Sequence, residues 1–407
     1  MGCCPSSGAS SPRSDHGVVP RELQRRNSGN PVHGIALTQP PIALTQPPIA
    51  YADASRPVFS LALPIGSALK TKSHYEKDSY AAEGIVIDTG GVHLDGADAS
   101  FLAIDPSVLE IDESRKLGSG ACATVIFAKS RFDGRPVAIK PVSVNDKVNR
   151  AQVLKEVRSL YTSDCECVVD FYGAFFETGR IMMVLEFMDL GGLDSAFGMG
   201  TARAKRVPEP VLACVVHQIL FGLAYLYHEH TMHRDIKPAN ILINSAGRVK
   251  LTDLGISKTL DFTLAAATTF VGTTKYMSPE RLNSERYDSR ADIWSLGLVA
   301  MELATTQFPI VGDVGNQIEL IMAIRGFKAP PFTAEGGGVS LSFVDFCAQT
   351  TAQDVERRPL ATTLFEHPWL AEQGVAAYDN EACWRVVAAY FAAARADTAA
   401  LHNAEGV

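Results

Sequence analysis

Eight consecutive residues, His233-Arg234-Asp235-Ile236-Lys237-Pro238-Ala239-Asn240, place a carboxylate, an ammonium and an amide within one short loop. Asp235 is placed to orient a hydroxyl or accept its proton. Lys237 can balance charge on a moving phosphoryl group, and Asn240 can bind a metal ion. Downstream, Asp253-Leu254-Gly255 offers a second hard oxygen ligand for Mg2+, followed by a glycine able to hinge a loop. Upstream, Leu117-Gly118-Ser119-Gly120-Ala121-Cys122-Ala123-Thr124-Val125 carries glycines whose backbone can approach phosphate oxygens and offer N–H groups. Taken alone that stretch is equally a glycine-bearing hairpin turn. In Val137-Ala138-Ile139-Lys140 an ammonium begins to leave an apolar strand, with Glu156 as its expected partner. The four clusters fit one reaction, phosphoryl transfer from ATP with Mg2+.

These groups need elements to position them. Lys116–Lys129 reads as two strands around the glycine turn, and Asp133-Gly134 signals a hairpin before a strand over Pro136–Val142. Lys147–Tyr161 has helical spacing, with Ala151, Leu154, Val157 and Tyr161 on one face. Val168–Tyr172 and Ile181–Phe187 read as strands. Helices are expected over Pro210–His228, Asp292–Thr305, Asn316–Ile324 and Ser342–Thr350. A strand-rich part followed by a larger helical part predicts an α+β, two-lobed architecture with a cleft between the lobes. The most apolar stretch, Val211–Tyr227, is interrupted by His217 and Gln218 and is read as a buried helix, not a membrane span.

The chain has 407 residues, 46% hydrophobic and 20% charged, enough for a sizeable core and against wholesale disorder. Its net charge of -8 argues against nonspecific nucleic-acid binding. The 8 cysteines are scattered, with no recurring Cys-x-x-Cys pair, so a reducing compartment without a structural zinc site is expected. Cys122 and the Cys165-x-Cys167 pair are read as ordinary thiols. Residues 1–110 hold 11 of the 22 prolines and a direct repeat, Ile35–Pro41 followed by Ile42–Pro48. Paired prolines cannot sustain a helix, so residues 1–110 are expected to form a disordered tail, with Val58–Ile65 and Gly84–Ile87 as apolar pieces able to dock. Residues 111–370 are expected to be the catalytic domain. Residues 371–407 carry one amphipathic helix with Cys383, Val386, Val387, Tyr390, Phe391 and Ala394 on a single stripe.

Together the clusters resemble the eukaryotic protein kinases over 111–370. Asp292-Ile293-Trp294-Ser295-Leu296-Gly297 is similar to that family's central helix motif, and Arg358 to the arginine that pairs with the glutamate of Ser278-Pro279-Glu280. The chain departs from the pattern at Ala123, where a third glycine is usual, at Leu254, where Phe is usual, and at Pro141 inside a strand. The resemblance implies adenine held by backbone groups of Glu186-Phe187-Met188, Leu185 and Ala138 lining the pocket, and Asp194 on a ribose hydroxyl or as a helix N-cap. The run from Thr269 to Arg281 looks like the mitogen-activated protein kinase kinases, with Lys237 fitting the serine/threonine branch. That resemblance implies phosphorylation of Thr and Tyr in a downstream mitogen-activated protein kinase. It also implies activation by an upstream kinase at Thr263 and Thr269, whose spacing looks like the plant and protist type. Arg234, beside Asp235, is a natural partner for a loop phosphate, or alternatively for backbone carbonyls. Thr273 is expected near Asp235 and Lys237. Competing expectations are a non-catalytic scaffold and a kinase of another subgroup in the same cascade.

Met1-Gly2-Cys3-Cys4-Pro5-Ser6 matches an N-myristoylation pattern at Gly2, with Cys3 and Cys4 placed for palmitate. This gives the expectation of a lipid anchor on the cytoplasmic face of a membrane, with a cytosolic pool. Arg25-Arg26 before Ile35-x-Leu37 faintly resembles a docking motif of the same family.

Overall fold

The computed structural model describes residues 79–82, 85–88, 91–94, 104–119, 124–143, 156–157, 159–160, 163–202, 204–254, 274–310, 317–328, 338–376 and 379–405. All of them belong to one compact unit, Pro48–Val407.

The smaller part is a five-stranded antiparallel sheet of β4 (Leu109–Ser119), β5 (Thr124–Ser130), β6 (Pro136–Ser143), β7 (Phe171–Glu177) and β8 (Arg180–Glu186). Its spatial order is β4-β5-β6-β8-β7. In β6 the side chains alternate between two cores, as a period of two requires. Val137 and Ile139 face a cluster with Ile104, Val108, Leu109, Phe175 and Val184. Ala138 and Val142 join the larger core with Val157, Leu160 and Met183. Lys140 therefore shares the face of Ala138 and Val142, and the helical residues 156–157 and 159–160 lie on that side. Pro141 is accommodated because the pairing of β5 with β6 ends at Ile139, so Pro141 faces only Met182 of β8.

Three expectations shift here. The first strand begins at Leu109, not Lys116: the charged run Glu110–Lys116 is also strand, exposed except at the half-buried Ile111, with a register shift between Asp112 and Lys116. Ile104, Val108 and Leu109 are buried, so the folded part starts before residue 110. Three short strands, β1 (Ser79–Ala82), β2 (Ile85–Asp88) and β3 (Gly91–Leu94), form an antiparallel meander that packs on β7, inside the stretch expected to lack structure. The strand expected over Val168–Tyr172 instead begins at Phe171; Val168 makes an isolated parallel bridge to Leu251.

The larger part contains β9 (Gly191–Gly192), β10 (Ile241–Ile243) and β11 (Val249–Leu251), with helices α1 (Leu193–Ala196), α2 (Glu209–His228), α3 (Pro279–Leu282), α4 (Arg290–Thr305), α5 (Gln317–Gly326), α6 (Leu341–Thr350), α7 (Ala361–Leu364), α8 (Pro368–Glu372) and α9 (Asn380–Glu405). Helix α2 is long and apolar enough to cross a membrane, but most of it is buried inside the fold as the central core helix. Gln218 on α2 holds the β10–β11 turn: its amide donates to Gly247 O at 3.2 Å and its carbonyl accepts from Val249 N at 2.9 Å. Gly297 lets α4 approach α6, since a Cβ there would lie 2.5 Å from Thr350 Oγ1. Arg358 and Glu280 form a buried two-pronged pair at 2.8 and 3.2 Å.

Helix α9 packs against α2. Cys383, Val387 and Phe391 are buried, whereas Val386 and Ala394 are exposed, so the buried stripe is narrower than the apolar one. The reason is geometric: α2, with Phe197 against Phe391 at 5.2 Å, covers only the i, i+4, i+8 row. Gly247, at φ +82°, is pressed so closely to α9 that a Cβ would lie 2.0 Å from Trp384 O, and Arg248 stacks on Trp384 at 4.3 Å. At the start of α9, Asn380 Oδ1 accepts from His217 Nδ1 at 3.1 Å and its amide donates to Glu166 Oε1. The other ring nitrogen, Nε2, is buried without a partner among the described residues. Burial therefore disfavours the charged ring and lowers the His217 pKa to about 4.

A group neutral in the fold and titrating at about 6.5 when unfolded contributes stability that is complete above pH 6.5. That stability is lost as pH falls toward 4. Between pH 7 and pH 4.5, His217→Gln should remove up to roughly 3 kcal/mol of the pH dependence of unfolding. Urea unfolding midpoints of the two proteins across that range check this.

Candidate active site

Lys140 is buried and touches two carboxylates, Glu156 Oε1 at 2.8 Å and Asp253 Oδ1 at 2.8 Å. Burial opposes the ammonium charge, but the two carboxylates outweigh it and hold Lys140 above its usual pKa. Burial also raises the Glu156 carboxyl, with Lys140 pulling it back. Each member comes from a different place: β6, the helical residues after 155, and the turn following β11. Asp253 sits at φ +58°, a left-handed conformation that costs a non-glycine residue about 1–3 kcal/mol and is kept only where the surroundings impose it. Leu254, next to it, is fully buried in the large core, so an aliphatic side chain fills the position where the resemblance expects Phe.

The loop before β10 gathers the second group. Lys237 Nζ lies 2.9 Å from Asp235 Oδ2, and Asn240 Nδ2 donates to the same oxygen and to Asp235 O, each at 2.8 Å. The Asn240 amide nitrogen is thus committed to Asp235, which leaves its carbonyl oxygen as the donor for a hard cation. Asp253 pairs with Lys140 through one oxygen and has a second, on a side chain 43% exposed. One amide oxygen and one carboxylate suit a divalent ion that takes its remaining ligands from phosphates and water.

Several residues that hold this loop carry no local signal. His233 donates through Nε2 to Thr252 O at 2.9 Å and accepts from Asp235 N through Nδ1 at 3.3 Å, the pattern of a neutral ring. Burial lowers its pKa accordingly. One imidazole thereby ties the Asp235 loop to the residue preceding Asp253. Asp292, the third residue of α4, accepts from His233 N and Arg234 N, both at 2.8 Å. Burial raises its pKa, against the pull of His233 and these amides. Arg281 Nη1 donates to Arg234 O at 2.8 Å, and Arg234 sits at φ +65°. The Arg234 Nε is buried with no partner among the described residues. Tyr276 donates to Glu302 at 2.6 Å, anchoring the segment that leads into α3.

The strand pair β4–β5 sets Gly118 opposite Val125 and Ser119 opposite Thr124, with Leu117 at a register shift between Lys116 and Gly118. Among the described residues, a Cβ added at Gly118 would meet nothing within 4 Å. Leu117 and Val125 pack on the large core. Ala138, Leu185 and Met188 are buried, with Ala138 of β6 directly opposite Leu185 of β8. Glu186 ends β8; its carboxylate meets Lys250 at 2.5 Å and faces away from a purely solvent role. Asp194 is the second residue of α1, whose N-cap is Gly192, so the alternative of Asp194 as the N-cap does not hold. Its Oδ1 lies where a Cβ on residue 192 would be only 2.4 Å away, which is why that cap is glycine. Cys165 and Cys167 are buried, and burial raises the Cys167 thiol well above its usual value, as expected of an inert thiol. Gly120, Ala121, Cys122, Ala123, Gly255, Thr263, Thr269, Thr273, Gly2, Cys3 and Cys4 lie outside the described residues.

Residues 111–370 match the protein kinase domain family. The chain is 34% identical over 307 residues to mitogen-activated protein kinase kinase 2 of Arabidopsis thaliana, covering 74% of this chain and 81% of that one. It is 38% identical over 285 residues to mitogen-activated protein kinase kinase 3 of the same plant, covering 69% and 53%. It is 34% identical over 324 residues to mitogen-activated protein kinase kinase 5 of Leishmania mexicana, covering 75% and 59%. The chain thus spans little more than half the length of some of these relatives. Two carboxylates on the buried Lys140, the Asp235–Lys237–Asn240 cluster and these similarities agree: the chain belongs to the protein kinase family and, within it, to the mitogen-activated protein kinase kinases.

Proposed function

We propose that this chain transfers the γ-phosphoryl group of ATP to Thr and Tyr hydroxyls in the activation loop of a mitogen-activated protein kinase. The observation that carries the catalytic half is the double pairing of Lys140 with Glu156 and Asp253 beside a complete Asp235–Lys237–Asn240 cluster. A protein serving only as a scaffold has no need to hold these charges together. The substrate half rests on the names of the relatives.

In this reading Asn240 and Asp253 would hold Mg2+, whose charge would offset that of the phosphates. Lys140 binds phosphate oxygens, with Glu156 fixing its position. Asp235 orients the acceptor hydroxyl and takes its proton. Lys237 offsets the charge that builds on the transferred group. The loop Leu117–Val125 covers the phosphates through its backbone amides, while the main chain of Glu186–Met188 receives adenine and Asp194 the ribose. Arg234, with its buried unpartnered Nε beside Asp235, is suited to a loop phosphate carrying roughly -1.5 to -2 charge, supplied by an upstream kinase at Thr263 and Thr269. The amino terminus is read as acylated at Gly2 and at Cys3 or Cys4. One myristoyl chain binds membranes only marginally, about 10⁴ M⁻¹, so a second lipid is needed to hold the protein at the cytoplasmic face, with a cytosolic pool remaining.

Asp235→Asn keeps shape and removes the base. It should lower kcat by about 10²- to 10⁴-fold while ATP affinity stays within about twofold. The substrate reading is tested with a panel of catalytically inactive mitogen-activated protein kinases and mass-spectrometric mapping. Modification of both Thr and Tyr in one activation loop is expected, and modification elsewhere only would overturn it. Thr263→Ala with Thr269→Ala should leave the enzyme unresponsive to its activator. Gly2→Ala should shift the protein from membranes to the soluble fraction, and an unmodified amino terminus by intact mass would remove the lipid proposal.

A further inference from the structure

Lys250, the middle residue of β11, is 1% exposed. A buried ammonium persists only when it is paired. Its partners are Glu186 Oε2 at 2.5 Å and Asp170 Oδ1 at 3.4 Å. Neither lies on its own element: Glu186 is the last residue of β8 and Asp170 immediately precedes β7. Asp170 and Glu186 are themselves locked together, Glu186 N donating to Asp170 O at 2.9 Å and Asp170 N to Glu186 Oε2 at 3.3 Å. Strand β11 is stitched to the same segment by Leu251 N to Cys167 O at 2.8 Å and Val169 N to Leu251 O at 2.9 Å.

Two ends of the nucleotide site meet in this cluster. Glu186 opens the backbone stretch assigned above to adenine. Three residues beyond Lys250 lies Asp253, which pairs with Lys140. The ammonium is buried and committed to two carboxylates, so it is not a phosphate ligand. Its place is behind the site, between the strand that delivers the metal-holding carboxylate and the residue that starts the adenine-binding main chain.

We propose that Lys250 is a positioning residue for the nucleotide: by clamping the Glu186 carboxylate to β11, it fixes the spacing between the adenine-binding main chain and Asp253. Both ends of a bound nucleotide then meet groups already in place, and affinity is gained because little ordering is left to do on binding. This inference rests on the kinase reading of the site.

The test uses the full-length protein and Mg–ADP as probe, by calorimetry, alongside steady-state kinetics and thermal unfolding. Lys250→Met, similar in length but neutral, should weaken Mg–ADP binding and raise the KM for ATP by about tenfold, with kcat changed less than about twofold. Lys250→Arg, which keeps the charge, should recover most of the affinity. Glu186→Gln keeps size and one acceptor oxygen and guards against a misfolded Met variant; it should raise the KM for ATP by about threefold with a normal unfolding temperature. Wild-type protein that binds no Mg–ADP would sink the kinase reading and this inference with it. Wild-type binding with an unchanged ATP KM in Lys250→Met or Glu186→Gln would overturn the inference alone. A parallel fall in kcat, ATP affinity and stability in both variants would overturn it too, as the mark of a merely structural lysine.

Discussion

Everything in the site depends on an ammonium that cannot stay buried alone. Lys140 leaves the small sheet from β6 and enters an interior position where only paired charge is tolerated. It is satisfied by Glu156 and Asp253 at 2.8 Å each, so three separate stretches of chain must converge within one side-chain length. Two carboxylates against one ammonium leave the trio with an excess of negative charge. Burial, and to a lesser degree Asp253, raise the Glu156 carboxyl, while Lys140 lowers it. A divalent ion shared with nucleotide phosphates relieves that excess, which gives a physical reason for the metal to enter with the nucleotide.

The rest of the large part serves to hold Asp235 and Asp253 at a fixed separation. His233 bridges their segments with one neutral imidazole. Asp292 pins the same loop from α4 through two backbone amides. Arg358 and Glu280 lock the segment that follows. Helix α9 adds a layer behind α2, and Gly247 admits its backbone at contact distance. Arg234 and Asp253, two of the six non-glycine residues at positive φ among the described residues, lie beside the site.

The residues with chemistry were legible in the sequence because their spacing within each cluster is set by short loops: the octet ending at Asn240, Asp253-Leu254-Gly255, and Lys140 on an alternating strand. Long-range partners were not legible. Nothing near His233 in sequence announces Asp292, 59 residues away, and Lys250 reads as an ordinary strand lysine until Glu186 is seen beside it. Strand β4 was placed late because Glu110–Lys116 is charged and exposed apart from Ile111, and a register shift interrupts it, so no alternation announces a strand. The meander β1–β3 was hidden because composition was read over residues 1–110 as a whole, although their prolines are concentrated before residue 65 and residues 65–105 hold none. Helix α9 shows the opposite error: its apolar stripe was correctly seen, but how much of a stripe is buried depends on the neighbours, here α2 along the row and Phe197 against Phe391.

The charge of Glu156 is the requirement on which the site turns. Glu156→Gln keeps the size and an acceptor oxygen for Lys140 and removes only the negative charge. The measurement is kcat/KM for ATP in the variant and the wild type, with the unfolding midpoint of each as a control. If Lys140 must be held by two carboxylates to meet the phosphates, kcat/KM falls on the order of 10²-fold while the protein remains folded. A folded variant with kcat/KM within about twofold of wild type would contradict it.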